Sequence, residues 1–316
     1  MSLETPTLHL KKLMTDDEAE EVFAGKHLGN DSFDHLLQAD GDVIDADTGE
    51  YLVRFRRHRL NAHDCRVAYK NLRSAATHTD NRGIAAGEIP AEATTVTRGG
   101  ETVVLGDRSR TRYRQAKPDG TLSNTNRAIT VQSGIIGFFD RNSRIPFCRQ
   151  TAFNIQNGDK FAAALPFIQQ VSEQFRLLMP ERWAAQKAEV ETVSPDFIIP
   201  GTVFSTITVN KNWQTAVHQD AGDLRAGFGV MTALRAGKFD GCYLCFPQYR
   251  VAVDMQSTDI LLADVHQWHG NTPLRGISPR YERVSCVFYV REKMKNCGSA
   301  AEELERAKTR QLGEKL

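Results

Sequence analysis

The sequence predicts a mainly β protein with flanking helices, whose core is a double-stranded β-helix of the jelly-roll or cupin-like type. Two observations lead to this fold class. From about residue 196 onward, short apolar segments of strand length alternate with turns, which suggests a sandwich or a double-stranded β-helix. A long amphipathic helix precedes these segments, as expected of a helix that braces a sheet. The candidate strands are 203–209, 227–233, 241–246, 251–254, 259–263 and 284–290.

The bracing helix is predicted from the spacing of its apolar residues. Apolar side chains recur at intervals of three and four between residues 161 and 178, which places them on one helix face. Pro180 ends the pattern because proline removes a helical hydrogen bond. We therefore expect this face to pack against the outer side of the sheet.

The first 130 residues combine helix and strand signals. Residues 15–18 read Thr-Asp-Asp-Glu, a capping box that opens a short helix, and a second helix is predicted near 64–76. Residues 51–56 alternate apolar and charged side chains as a strand does, whereas 80–126 are rich in turn formers and predict long loops or a hairpin. We expect an N-terminal α+β elaboration over 1–130, packed on a β-helix core over 131–298, and a C-terminal helix over 299–316.

Composition sets limits on the class of protein. The 316 residues are 41% apolar and 25% charged, with a net charge of +1, so any basic surface must come from local clusters. No long uncharged apolar run suggests a transmembrane helix, and the first residues lack a signal-peptide pattern. We therefore expect an intracellular protein, in the cytoplasm or, in a eukaryote, the nucleus.

The cysteines predict buried thiols rather than a metal site. In an intracellular protein we expect all six to be reduced. Cys242 and Cys245 have CxxC spacing, which allows a zinc site, but no second CxxC accompanies them. Because they lie in an apolar strand-like run, buried strand cysteines are the favoured interpretation. The six are Cys65, Cys148, Cys242, Cys245, Cys286 and Cys297.

The strongest chemical signal is a His-x-Asp pair followed by a distant histidine. His218 and Asp220 are two residues apart, so on a strand both side chains point to one face. Two imidazoles and one carboxylate form the facial triad that holds Fe(II) and leaves positions open for O2 and a substrate. His269, which follows an apolar strand and a short turn, is the favoured third ligand, and His266 is the rival.

A cation and a hydroxyl follow the distal histidine. In iron oxygenases of this type the far carboxylate of 2-oxoglutarate needs a permanently charged, fork-shaped partner, which Arg283 offers. Ser285 lies two residues further on the same strand face and can add a hydroxyl donor. The sequence therefore predicts an oxygenase that uses Fe(II), O2 and 2-oxoglutarate.

The segments that carry these residues resemble a known family. They are 208–210 (Thr-Val-Asn), 218–220 (His-Gln-Asp), 227–229 (Gly-Phe-Gly), 259–262 (Asp-Ile-Leu-Leu), 269–273 (His-Gly-Asn-Thr-Pro) and 283–289 (Arg-Val-Ser-Cys-Val-Phe-Tyr). With 146–153 they are similar to the ten-eleven translocation and base-J-binding-protein family, over roughly residues 134–291. The spacing of Asp223 makes the resemblance closest to base J, algal and phage members. The resemblance implies hydroxylation of the C5-methyl group of a flipped pyrimidine in DNA.

The resemblance also implies a role for particular residues. His218, Asp220 and His269 would bind iron, and Arg283, Ser285, Asn210 and Arg149 would bind the co-substrate. Tyr289 would stack on the flipped base, while Asp223 and Arg291 would contact its edge. An algal relative uses ascorbate, so ascorbate is the alternative to 2-oxoglutarate.

Reaching a methyl group in DNA requires base flipping and phosphate contacts. Two basic clusters are candidates, residues 54–59 and the group Arg108, Arg110, Arg112, Arg114 and Lys117, of which the four arginines are the favoured phosphate contacts. The favoured substrate is DNA with 5-methylcytosine, oxidised to 5-hydroxymethylcytosine or further, and the alternative is thymine oxidised to 5-hydroxymethyluracil. A small-molecule oxygenase and a non-catalytic jelly-roll module that binds modified DNA or a sugar are the competing hypotheses. No membrane association and no obligate protein partner are expected.

Overall fold

In the described part of the chain, the strands form two facing sheets and three small two-stranded ribbons. The computed structural model describes residues 5–89, 95–98, 101–104, 112–117, 119, 121–142 and 145–309. The strands are β1 (Thr7–Leu10), β2 (His35–Leu37), β3 (Gly41–Asp45), β4 (Tyr51–Arg56), β5 (Thr77–Thr79), β6 (Thr95–Arg98), β7 (Glu101–Val104), β8 (Arg112–Ala116), β9 (Leu122–Ala128), β10 (Val131–Phe139), β11 (Arg149–Gln150), β12 (Thr206–Lys211), β13 (Gly229–Ala236), β14 (Phe239–Gly241), β15 (Leu244–Phe246), β16 (Val251–Val253), β17 (Ile260–Ala263), β18 (Gly270–Asn271), β19 (Leu274–Gly276) and β20 (Glu282–Tyr289).

The larger sheet runs in the order β1-β3-β4-β17-β13-β20-β12-β10-β11, with β5 also paired to β10. The smaller sheet runs β18-β15-β16-β2 and faces it. The inner apolar layer between them includes Met231, Leu244, Phe246 and Leu261, which are 0–5% exposed. Two facing sheets of this kind, built from the predicted strand segments, are the double-stranded β-helix core that the sequence predicts.

Most of the described helices lie on the outer side of the larger sheet. The helices are α1 (Asp16–Phe23), α2 (Ala62–Leu72), α3 (Ala152–Gln156), α4 (Gly158–Leu178), α5 (Pro180–Val190) and α6 (Ala300–Thr309). Unlike the others, α1 packs against β15 and β16 of the smaller sheet. Phe167 of α4 lies 6.0 Å from Phe288 of β20, measured between ring centroids, and Phe175 stacks on Phe204. The predicted bracing by the long helix is therefore confirmed, and Pro180 begins α5. No described helix has the length and apolar character needed to span a membrane.

Alternation along β20 gives the larger sheet its two faces. Val284 and Phe288 belong to the core under the helices, whereas Arg283, Ser285 and Tyr289 line a cavity between the sheets. This is the period-two pattern of a strand, so one strand carries both packing and site residues. The sheet thereby places an arginine, a serine and a tyrosine in one row.

The front of the chain is part of both sheets. β1, β3 and β4 extend the larger sheet, and β2 pairs in parallel with β16 of the smaller one. The capping box at Thr15 and Glu18 forms as predicted. Residues 95–128 contain two hairpins, β6–β7 and β8–β9. The predicted division at residue 130 therefore does not separate two sheet systems, because the front third contributes strands to the core.

One prediction about the cysteines is wrong. Cys148 and Cys297, at a sequence separation of 149, form a disulfide with Cα atoms 5.7 Å apart. The nearly buried Glu303 holds the two segments together, because its carboxylate accepts hydrogen bonds from the N–H groups of Cys148 and Gly298 at 2.7 and 2.9 Å. It also pairs with Arg141. The sequence could not show this pairing because only the folded chain brings the two positions together.

The remaining cysteines match the favoured interpretation. Cys65, Cys242, Cys245 and Cys286 are free and buried. Burial raises the pKa of the Cys245 thiol to about 12, and its sulfur lies near the carbonyl of Ser32. No metal-ligand cluster in the described part of the chain includes the CxxC pair.

Candidate active site and metal centre

A cavity of about 340 Å³ lies between the inner faces of the two sheets. Its walls include side chains from β12, β13 and β20 on one side and from the two histidine-bearing segments on the other. Most site residues predicted from the sequence meet here. They are Asn210, His218, Asp220, Asp223, His269, Arg283, Ser285, Tyr289 and Arg291.

The three predicted metal ligands lie together on one wall. One ligand atom from each of His218, Asp220 and His269 lies within 4.8 Å of the other two, and this is the single such group of His, Cys, Asp and Glu residues found among the described residues. Nε2 of His218 lies 3.4 Å from an Asp220 carboxylate oxygen. Two imidazoles and a carboxylate on one side of an open cavity suit a divalent iron ion and leave its other side free for ligands.

Backbone contacts fix which ring nitrogen each histidine presents. His218 directs Nδ1 to the carbonyl of Ala216 at 2.8 Å, and His269 directs Nδ1 to the carbonyl of Gln267 at 2.9 Å. A carbonyl only accepts, so Nδ1 donates in both rings, and Nε2 is the nitrogen left to face a metal. Both rings are therefore oriented as a metal-binding histidine needs.

The protonation states agree with this arrangement. Burial lowers the pKa of His269 to about 4. Burial alone would raise the pKa of Asp220, but the hydrogen bond from His218 and the neighbouring imidazoles lower it below its ordinary value. Neutral His269 and ionised Asp220 are the forms that bind a cation.

The His-x-Asp pair does not lie on a regular strand, which corrects a sequence prediction. His218 forms only an isolated bridge with His269, and Gly222, with φ of +85°, turns the chain between Asp220 and Asp223. His266 does not join the ligand group. It lines a small neighbouring crevice, and its backbone N–H donates to the carboxylate of Asp264.

Arg283 lies at one end of the cavity. It is 5% exposed, and no carboxylate of the described residues pairs with its guanidinium group. Ser285 follows it on the same strand face, and Asn210 is the cross-strand partner of Ser285. Trp213 also lines this end. A nearly buried cation without a described acidic partner, flanked by polar side chains, is suited to binding a carboxylate.

Tyr289, Asp223 and Arg291 lie toward the other end. The Tyr289 hydroxyl is 3.1 Å from the hydroxyl of Thr208, and Asp223 and Arg291 are joined by an isolated backbone bridge. Burial, with the nearby Asp220 carboxylate, raises the pKa of Asp223 well above its ordinary value. No described group hydrogen-bonds the Asp223 side chain, so its carboxyl group is available to a ligand.

Arg149 does not reach the cavity, which corrects another expectation. Its guanidinium group donates to the carbonyls of Asp140 and Phe147 at 3.3 and 3.4 Å and lies 4.9 Å from the Phe139 ring centroid. Asp140 also binds the Nε of Arg291 at 2.6 Å. Arg149 therefore packs behind the end of the cavity where Arg291 lies and does not line the cavity.

The structure describes the ion pairs of the first basic cluster, residues 54–59, but only part of the second cluster. Arg54 and Arg56 bind the carboxylate of Asp42, with N–O distances of 3.0 and 2.7 Å, so the first cluster is partly neutralised within the fold. Arg56 is also nearly buried. In the second cluster, Arg108 and Arg110 lie outside the described residues. Arg112 and Arg114 lie on β8, of which the structure describes the strand but not these two side chains.

One wall of the cavity was not predicted from the sequence. It comes from residues 81–85, which overlap a short 3-10 helix, Gly83–Ala86. The N–H of Ala216 donates to the carbonyl of Ala85 at 2.9 Å, so this wall also supports the segment that carries His218. Arg82 contributes the wall's cationic side chain. The segment has no periodicity and contacts its neighbour through backbone atoms, so no sequence pattern marked it.

Comparisons with known proteins give a family for about half of the chain and a likeness in fold for most of it. The family model Tet_JBP, described as the oxygenase domain of the 2OGFeDO superfamily, matches residues 134–292. Thymine dioxygenase JBP1 of Crithidia fasciculata is 40% identical over 175 residues, which are 54% of this chain and 21% of that protein. The bifunctional helicase and thymine dioxygenase JBP2 of Leishmania tarentolae is 34% identical over 186 residues, 58% of this chain and 16% of that protein. The chain thus spans about a fifth or less of the length of these two relatives.

Among solved structures, NgTET1 in complex with 5mC DNA superposes with a TM-score of 0.54. The match covers 87% of this chain and 86% of that chain at 11% identity. At this identity the likeness concerns the fold alone. It agrees with the two-sheet core, including the front third that the family model does not match.

Proposed function

Since this chain belongs to the Tet_JBP family of 2-oxoglutarate- and iron-dependent oxygenases, we propose that it hydroxylates the C5-methyl group of a pyrimidine base in DNA. The observation that carries the proposal is the composition of one cavity. A facial triad lies on one wall, a nearly buried arginine without a described acidic partner at one end, and an aromatic ring with polar groups at the other. This order along the cavity is the one expected of an oxygenase that binds its metal ion between a co-substrate and a base.

The triad would hold Fe(II). His218 and His269 present Nε2, and Asp220 supplies an anionic oxygen, so the donor set fits this ion. When bound, iron and 2-oxoglutarate supply the activation of O2 that converts the methyl group to hydroxymethyl, with succinate and CO2 as the other products. The chain's own part is to hold the ion on one side and to leave the cavity side open.

Arg283, Ser285 and Asn210 would bind the co-substrate. A bidentate guanidinium contact to the far carboxylate fixes both the position and the length of a dicarboxylate. Ascorbate, the alternative, is a compact lactone monoanion that has no carboxylate for Arg283. The nearly buried position of Arg283 therefore favours 2-oxoglutarate over ascorbate.

Tyr289, Asp223 and Arg291 would receive the base. The cavity of about 340 Å³ lies between two sheets, so a base in a duplex must leave the stack to enter it. The Tyr289 ring offers a stacking surface, Asp223 offers hydrogen-bonding oxygens, and Arg291 is held in place by Asp140. Phosphate contacts are proposed for Arg108, Arg110, Arg112 and Arg114, because the other basic cluster is partly neutralised.

Two bases carry the methyl group, and different observations favour each. The relatives that are 34–40% identical are named thymine dioxygenases, which favours thymine and 5-hydroxymethyluracil. 5-Methylcytosine is the base expected from the sequence and is the second candidate. Asp223 does not separate them, because its carboxyl oxygens can accept from N4 of cytosine or from N3 of thymine.

The test is oxidation of matched oligonucleotides. DNA duplexes that differ only in 5-methylcytosine or cytosine at one site, with thymine elsewhere or replaced by uracil, are incubated with Fe(II), 2-oxoglutarate and air. The digested nucleosides are then identified by mass spectrometry. If thymine is the substrate, 5-hydroxymethyldeoxyuridine should form only from thymine-containing duplexes. If 5-methylcytosine is the substrate, 5-hydroxymethyldeoxycytidine should form only from duplexes that contain 5-methylcytosine. Turnover of free nucleosides but not DNA would instead support a small-molecule oxygenase.

A further inference from the structure

Two residues outside the family-matched segment connect to a predicted co-substrate contact. Nε of Arg82 donates to Oγ of Ser133 at 2.8 Å, and Oγ of Ser133 donates to Oδ1 of Asn210 at 2.5 Å. The matched segment begins at residue 134. Resting on the function proposed above, we propose that Arg82 and Ser133 are positioning residues that orient the amide of Asn210 toward 2-oxoglutarate.

The direction of each hydrogen bond follows from the donors available. An arginine guanidinium group has only N–H donors, so the Ser133 oxygen must accept from Arg82. The single hydroxyl proton of Ser133 is then free to point at Asn210, and the Asn210 atom that it meets must be the acceptor, Oδ1. The NH2 group of Asn210 is therefore turned away from Ser133. Arg82 thus occupies one of the two acceptor positions of the Ser133 oxygen, which favours the amide orientation with Oδ1 toward Ser133.

The strand register shows which end of the cavity this NH2 group serves. Asn210 of β12 pairs with Ser133 of β10 on one side and with Ser285 of β20 on the other. Arg283 lies two residues before Ser285 and therefore on the same face of β20. Asn210 and Arg283 both line the cavity. The amide is thus in the row of residues proposed to bind the co-substrate, whereas Tyr289 lies four positions further along β20.

The hydrogen bond between Ser133 and Asn210 is buried. Ser133 is 1% exposed and Asn210 is 8% exposed, so water does not readily replace a lost protein partner. Among the described residues, no group accepts a hydrogen bond from the NH2 of Asn210. That donor is therefore available to an oxygen atom of a bound carboxylate or keto group. Without Ser133, the amide would lose the contact that keeps its oxygen away from this ligand.

The experiment measures 2-oxoglutarate affinity without turnover. Under anaerobic conditions, the visible charge-transfer absorption of the Fe(II)–2-oxoglutarate complex gives a Kd for the full chain, and DNA affinity is measured separately. Ser133→Ala should raise the 2-oxoglutarate Kd about threefold to tenfold, as expected for one misdirected hydrogen bond. Iron stoichiometry and DNA affinity should stay at the wild-type level. Arg82→Met should act in the same direction, and Arg82→Lys, which keeps a donor, should restore most of the affinity.

A double-mutant cycle separates positioning from general damage. If Ser133 acts through Asn210, Ser133→Ala should add little to the Kd of Asn210→Ala. Ser172→Ala is the matched control, because Ser172 is also buried and its hydroxyl accepts from the N–H of Val203, away from the cavity. It should lower the melting temperature without changing the Kd.

Several results would overturn the proposal. Unchanged affinity in Ser133→Ala and Arg82→Met, full additivity with Asn210→Ala, or a loss confined to DNA binding would each do so. If Ser133→Ala does not fold, the Arg82→Met and Arg82→Lys pair carries the same test. Failure of the wild-type protein to bind 2-oxoglutarate at all would instead contradict the proposed function, so the two failures are distinguishable.

Discussion

The backbones of His218 and His269 are joined by a reciprocal pair of hydrogen bonds, each with an N–O distance of 2.9 Å. Their rings lie 4.5 Å apart between centroids. The two histidines are far apart in the chain, yet neither backbone can shift without breaking a bond to the other. The pair therefore presets two of the three metal ligands before an ion binds, which reduces the ordering that binding requires.

Removing one ligand should empty the metal site while leaving the fold intact. His269→Ala, or the corresponding alanine variant of His218 or Asp220, should bring bound iron close to zero and abolish turnover, because two ligands hold Fe(II) weakly. Metal content by mass spectrometry and far-ultraviolet circular dichroism measure the two effects. His266→Ala is the control and should retain iron. Iron loss in His266→Ala combined with retention in His269→Ala would show that the third ligand is misassigned.

Arg283→Ala should weaken 2-oxoglutarate binding far more than DNA binding. Loss of a buried, charge-assisted contact costs about 2–5 kcal/mol, so the KM for 2-oxoglutarate should rise by more than about tenfold. Steady-state kinetics with each substrate varied in turn measure the effect. Arg235, the cross-strand partner of Arg283, is the matched control. It binds Asp254 and does not line the cavity.

Arg235→Ala should therefore reduce stability and leave the KM unchanged. If Arg283→Ala and Arg235→Ala raised the KM for 2-oxoglutarate equally, the assignment of Arg283 to the far carboxylate of 2-oxoglutarate would be contradicted. A wild-type enzyme whose rate did not depend on 2-oxoglutarate would favour ascorbate.

Asp223→Ala should lower turnover on DNA without affecting iron or 2-oxoglutarate binding. If Asp223 accepts a proton from the flipped base, its removal leaves that donor unpaired at a cost of about 1–3 kcal/mol, or roughly tenfold in rate. Asp223→Asn keeps an acceptor and should lose less. Product formation on thymine and 5-methylcytosine oligonucleotides is compared with the melting temperature. A variant that melts early but keeps its rate and base preference would remove Asp223 from the base site.

Replacing Arg108, Arg110, Arg112 and Arg114 by alanine should weaken DNA binding about equally for all sequences. Each lost phosphate contact should reduce the slope of log K against log salt by about 0.9. Fluorescence anisotropy across a salt series gives this slope. Arg54→Ala is the control, because its partner Asp42 lies within the fold, and this variant should lose stability instead. If the quadruple variant and the wild type had equal salt slopes, these four arginines would not contact DNA phosphates.

The parts of this protein that sequence could predict are those with a local pattern. Short apolar segments predicted most strands because side chains on a strand alternate between two faces, and the spacing of apolar residues predicted α4. The metal ligands were found because three residue types combine to suit one ion. In both cases the information lies within a few neighbouring residues or in the chemistry of the side chain.

The rest depends on contacts between distant segments. Arg149 was expected at the co-substrate, but its direction is set by the carbonyls of Asp140 and Phe147, which no spacing reveals. Arg82 lies on an irregular turn and reaches the cavity only because that turn packs beside Ala216. The disulfide similarly joins positions that only the fold brings together. Tertiary contacts, not local propensity, determine these features.

The most direct test follows the oxygen atoms during turnover. The wild-type protein is incubated with Fe(II), 2-oxoglutarate, methylated DNA and isotopically labelled O2, and both succinate and the digested nucleosides are analysed by mass spectrometry. We predict one labelled oxygen in a hydroxymethylpyrimidine, one in succinate, and equal amounts of the two products. His269→Ala should form neither product. Succinate without any modified nucleoside, or a modified nucleoside that carries no label, would contradict the proposed reaction.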